Sequence, residues 1–174
     1  FTVPNNNLHL FYMGNSDGTA SGGSYLRYNL YDSGNGHSGT NFFETLISWS
    51  GNLLHGGAVL PTNNTPVHVT LVYDPVGGVK SIYLNGALSS TYSGPLAALG
   101  SYPENVFALG SSPWSSDPNL KGAIDEFRIY SGVLTPSDIA AAQTVGPNVV
   151  LTTNVSVSVS PGGGTMNFSW PVAA

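Results

Sequence analysis

The sequence contains no cysteine, so disulfide staples and thiol chemistry are excluded and packing alone must hold the fold. Charge is scarce as well. Only 7% of the 174 residues are charged, with four basic side chains against nine acidic ones. The four cations, Arg27, Lys80, Lys121 and Arg128, are scattered along the chain. No basic patch exists to neutralise a phosphate backbone, which excludes nucleic acid as a partner. No apolar run is long enough to cross a bilayer as a helix, so no membrane span is expected. What remains is a chain 41% hydrophobic, with 22 Gly and 12 Pro. That composition fits a packed domain with many turns and few long helices. Low charge with abundant Ser, Thr, Asn and Gly predicts an extracellular or cell-surface setting. The sequons at Asn63, Asn154 and Asn167 matter only in a host that glycosylates.

Hydrophobic periodicity is close to two over most of the chain, the signature of half-buried strands. Strands are expected at 8–13, 25–31, 42–49, 67–73, 79–84, 87–92, 106–109 and 123–130. Gly- and Asx-rich turns separate them, with Ser50-Gly51-Asn52 expected to close the third. Asn85-Gly86 is a strong hairpin signal, since a type I′ turn needs positive φ at both central positions. One short helix is expected near 135–143. Thr135 supplies an N-cap hydroxyl, Pro136 fits the first turn, and Gly146-Pro147 stops the helix. Beyond it, Val149, Leu151, Val155, Val157 and Val159 alternate with Ser and Thr, and Pro161–Gly164 turns into Met166–Trp170. The chain divides into a sandwich over 1–147 and a β tail over 148–174. The pattern predicts an all-β, antiparallel two-sheet sandwich with a single short helix.

Between Val67 and Gln143 several features occur in a fixed order. A strand ends in Tyr73-Asp74, and Ile82-Tyr83-Leu84-Asn85-Gly86 follows a Gly turn. Leu109-Gly110 comes next, then Gly122-Ala123-Ile124-Asp125-Glu126-Phe127-Arg128-Ile129-Tyr130 and the helix led by Leu134-Thr135-Pro136. This ordered set resembles the laminin-G-like, concanavalin-A-like jelly-roll family. The resemblance implies a jelly-roll fold and strands upstream of any that Phe1-Thr2-Val3 can match. The chain is therefore expected to be a piece of a longer protein, or to meet its missing edges by folding back the tail or by strand exchange between copies.

Some glycoside hydrolases share that fold, and their chemistry needs two carboxylates flanking the bond, about 5–5.5 Å apart for retention. Asp125 and Glu126 are adjacent on an expected strand and so point to opposite faces, while Glu126 shares its face with Arg128. These three residues, like Asn85 and Gly86, read as structural, and no enzyme is expected. Sugar recognition instead needs aromatic platforms with hydrogen-bonding neighbours. Trp114, in a polar loop, with Tyr92 and Tyr102 are the candidates for glycan contact. For calcium, a hard cation that prefers oxygen ligands, Asp17, Asp32 and Asp117 in Gly- and Asn-rich loops are the candidates. The expected function is a non-catalytic recognition module binding carbohydrate or mediating adhesion through its rim loops. The alternative is a structural subunit of a surface polymer, joined to its neighbours by terminal strands.

Overall fold

The computed structural model describes residues 8–15, 25–31, 42–47, 50–55, 65–102, 106–114, 117–146, 158–162 and 165–169. Ten strands are assigned among them: β1 (Leu8–Gly14), β2 (Tyr25–Tyr31), β3 (Phe42–Ile47), β4 (Ser50–His55), β5 (Val69–Asp74), β6 (Val79–Leu84), β7 (Ala87–Ser93), β8 (Val106–Leu109), β9 (Ser158–Gly162) and β10 (Thr165–Ser169). The helix α1 spans Pro136–Val145. Pairing is antiparallel throughout. One sheet runs β4-β3-β2-β1-β8, a second runs β5-β6-β7, and β9 and β10 form a two-stranded sheet of their own.

Alternation along the strands sends one row of side chains between the two larger sheets. Leu26, Tyr28, Phe43 and Leu54 from the five-stranded sheet meet Ile82 from β6, and Tyr102 closes the cluster. Leu71, Tyr73, Leu84 and Tyr92 pack around it. This is a sandwich core of interdigitated inner faces. Burial pushes the Tyr28 phenol pKa up, and its hydroxyl has no hydrogen-bond partner among the described residues.

The turns follow their residue chemistry. Asp74 Oδ1 accepts from the N–H groups of Val76 (3.1 Å) and Gly77 (2.8 Å) and so shapes the β5–β6 turn. At the β6–β7 turn Asn85 and Gly86 have φ of 49° and 79°, the type I′ requirement. Asn85 also donates its N–H to the His68 carbonyl (2.8 Å) and accepts the His68 N–H on Oδ1 (3.0 Å). Those bonds divert the His68 backbone from the ladder, so β5 begins at Val69 rather than Val67. A Cβ on Gly86 would meet Gln143 at 3.3 Å and Ala140 at 3.5 Å, so the turn doubles as the helix's seat. Thr135 caps α1 in a reciprocal capping box with Asp138, and Ile139 is buried against Val72 and Tyr83. The exposed Asp138 carboxyl is held below its ordinary pKa by the Thr135 hydrogen bonds.

Three expectations fail for identifiable reasons. Ser50-Gly51-Asn52 is not a terminating turn; it sits in β4 opposite Ile47, Leu46 and Thr45. An end strand of a sheet tolerates residues that propensity assigns to turns. Pro161 and Gly162, expected in a turn, pair with Met166 and Thr165. Ala123–Tyr130 has strand periodicity but is not a strand, because among the described residues nothing pairs with its backbone.

Candidate functional site

β1 carries an irregularity that alternation alone hides. The ladder runs Leu8↔Tyr31, His9↔Asn29, Phe11↔Tyr28 and Tyr12↔Arg27, so Leu10 is an extra residue. A bulge of this kind switches the face of everything beyond it. Phe11 and Met13 therefore turn toward the core cluster. His9 and Tyr12 share the other face, where both rings meet Trp114. Arg27, opposite Tyr12 and flanked by core residues Leu26 and Tyr28, lies on that same outer face.

The loop after β8 closes over these residues. Gly110 donates its N–H to the Leu10 carbonyl (2.9 Å) and accepts from the Leu120 N–H (2.7 Å), pinning both loop ends beside β1. Inside the loop the Ser112 hydroxyl accepts from the Trp114 N–H (3.1 Å) and donates to Asp117 Oδ2 (2.7 Å). The Asp117 N–H returns to the Trp114 carbonyl (3.1 Å). The indole is thus held from its own backbone. Around it stand His9 with ring centroids 5.7 Å apart, Tyr12 edge-on at 5.5 Å, and the Arg27 guanidinium 5.3 Å from the ring centre.

Electrostatics fixes the imidazole's tautomer. Arg27 lies 3.1 Å from His9 Nε2, and a guanidinium can only donate, so Nε2 accepts. The ring proton then resides on Nδ1, which faces Asp117 Oδ2 at 3.6 Å, an ion-pair distance beyond hydrogen-bond reach. His9 is fully buried and the Asp117 side chain nearly so. The result is a line of carboxylate, neutral imidazole and guanidinium beside a half-buried indole. This assembly offers an aromatic edge, a planar donor fork, a carboxylate and a hydroxyl at one place.

The sequence-derived candidates are divided between two places. Trp114 and Asp117 are together in the outer-face cluster. Tyr92 and Tyr102 are not with them. Tyr102 follows a 3-10 turn at Leu99–Ser101 that turns its ring into the core, where its hydroxyl lies 3.1 Å from the Tyr73 hydroxyl. Tyr92 packs against the same core, with Lys80 Nζ 5.6 Å from its ring centre. As for calcium, Asp17 and Asp32 lie outside the described residues. The Asp117 carboxylate is bonded to Ser112 and faces an imidazole gripped by Arg27, which does not fit a calcium ligand. Glu126 Oε2 lies 2.6 Å from Arg128, the ion pair expected from their shared face, and Asp125 is exposed. That contact is a charge pair rather than an aligned hydrogen bond, since Glu126 Oε2 finds no hydrogen-bond partner among the described residues. His9 and Arg27 were missed by sequence reasoning. Only the bulge brings them to Trp114, and no local sequence signal marks it.

A second histidine gives the fold a pH response. Burial holds the His68 pKa below its ordinary 6.5, against the pull of Glu126 and with a smaller downward push from Arg128. A lowered folded value means the native state favours neutral imidazole. Its contribution is complete above 6.5 and is lost as pH falls through the lowered value. Thermal melts at pH 7.5 and 5.0 should show acid destabilisation that shrinks in His68→Gln. An unchanged pH slope in that variant would remove His68 as its source.

With fold and site in place, the protein's class is an antiparallel jelly-roll sandwich carrying a polar cluster on one outer face. A laminin G-type family model, described as the Concanavalin A-like lectin/glucanases superfamily, matches residues 2–140. The chain belongs to that family. Among solved structures it is similar to an S-layer domain-containing protein from Clostridium thermocellum ATCC 27405, residues 221–444, at 22% identity and a TM-score of 0.38. That alignment covers 81% of this chain and 64% of the other. No curated protein matches the sequence. Among the described residues, no helix is long and apolar enough to cross a membrane, and no group of three or more His, Asp or Glu is placed to hold a metal ion.

Proposed function

We propose that this chain is a non-catalytic recognition module of the extracellular or cell-surface space, and that it binds carbohydrate at the outer-face cluster. The observation that carries the reading is Trp114, held in place by Ser112, His9 and Tyr12 with Arg27 and Asp117 at its side. Sugars are recognised by an apolar ring surface flanked by groups that donate to and accept from hydroxyls, and these side chains supply each of those parts. Preorganisation favours binding, because an anchored indole loses little freedom when a ligand arrives. The carboxylate pairing of glycoside hydrolysis is not supported at Asp125 and Glu126, since the second is engaged by Arg128.

A glycan-array screen followed by calorimetric titration of the best hit tests the proposal. Trp114→Ala should weaken that hit by about tenfold or more, the scale of losing one anchor ring. Equal affinity in the variant would place the site elsewhere.

A further inference from the structure

Two parts of this chain lack partners of the same kind. The stretch Ala123–Tyr130 alternates like a strand, yet among the described residues no backbone hydrogen bond ties it to a neighbour. Its apolar side chains are correspondingly open, with Phe127 42% and Ile129 53% exposed. Phe127 is positioned rather than loose, since its ring stacks on Phe11 at 6.0 Å and meets Phe107 edge-on at 5.6 Å. Nearby, β5 ends its sheet and offers a second unpaired edge. The two meet near His68, which senses the charges of Glu126 and Arg128 and whose buried Nδ1 has no hydrogen-bond partner among the described residues. An open edge beside an apolar row is a template for an added strand.

The complementary part is the tail. Its sequence places Val155, Val157 and Val159 on one face with serines between them, the pattern of a strand with one buried side. The tail strands β9 and β10 pair with each other and join neither larger sheet. A two-stranded ribbon is marginal in water unless it packs on something. An acceptor and a donor of matching pattern therefore occur in one chain without engaging each other.

We propose that copies of this chain associate head to tail, the valine-bearing tail of one copy adding as a strand to Ala123–Tyr130 of the next. Such a contact is heterologous, so it builds a closed ring or an open filament rather than a two-fold dimer. It is independent of the carbohydrate reading, because the outer-face cluster is on β1, β2 and the loop after β8.

Light scattering coupled to size exclusion, run over a concentration series of the full 174-residue chain, tests it. The mass should rise from 18.1 kDa in whole multiples as concentration increases. Ile129→Asp should disable the acceptor and Val157→Asp the donor, leaving each variant at the single-chain mass. An equimolar mixture should recover a species of twice that mass, since each variant retains the part the other has lost. A single-chain mass for the unaltered protein at every concentration would overturn the proposal, as would self-association of Val157→Asp. A mixture that stays at the single-chain mass would also overturn it. Hydrogen exchange on the unaltered protein decides the matter if either variant fails to fold. Protection of amides 123–130 should grow with concentration, whereas concentration-independent protection would show the chain covering its own edge.

Discussion

Phe43→Ala should lower the stability of the fold by about 3–5 kcal/mol, the cost of emptying a phenylalanine site in a packed core. Phe43 is 2% exposed and lies at the centre of β3, opposite Tyr28 on one side and Leu54 on the other. Its ring reaches across to the second sheet, edge-on to Tyr73 at 6.3 Å and 5.3 Å from Lys80 Nζ. Lys80, itself fully buried, also donates to the Phe43 carbonyl (3.2 Å). Truncation removes dispersion contacts to both layers and takes an aromatic face from a buried cation. The melting temperature should fall by roughly 10 °C for a chain of this length. A Phe43→Leu control should recover most of the loss. A fall no larger than that of a surface substitution would mean the two sheets do not meet at this ring.

Arg27→Met should cost about 2–3 kcal/mol, although it keeps the length and apolar stem of the side chain. The loss has two sources. His9 Nε2 is buried and loses a charged donor, and the indole of Trp114 loses its guanidinium neighbour. Arg27→Lys should repair little of this, because an ammonium is a point charge without a planar fork. Urea unfolding followed by tryptophan fluorescence measures the difference. If Met and Arg give the same midpoint, the guanidinium does not hold this cluster together. The same variant should also lose glycan binding, since the loop's anchor and one of its ligand-facing groups vanish together.

Much of the architecture is readable from local chemistry because each element depends on near neighbours. β2, β6 and β8 have the limits that alternation predicts. Thr135, Pro136, Asp138 and Gly146 mark the helix through capping that needs only adjacent residues. The Asn85-Gly86 turn is dictated by two backbone angles. The failures have a different origin. β4 contains Gly51 and Asn52, whose place in a ladder depends on β3 rather than on their own preference. Ala123–Tyr130 has every local mark of a strand and lacks the one requirement that is not local, a neighbouring backbone. The candidate site was half legible for the same reason. Trp114 and Asp117 announce themselves as a large ring and an acid in a polar loop. His9 and Arg27 lie on strands whose facing is decided by a single inserted residue in the β1 ladder. Tyr92 and Tyr102 look like exposed loop aromatics until the turn at Leu99–Ser101 carries the second inward.

The closeness of α1 to the bare turn at Gly86 sets an order of assembly. A ten-residue helix is marginal by itself, and this one rests on one fully buried side chain, Ile139, and on the gap where Gly86 has no Cβ. That gap exists only after the β6–β7 hairpin has closed. The helix is thus the last element to seat during refolding and the first to lift away under mild denaturant. Its departure bares Val72 and Tyr83 before either sheet comes apart.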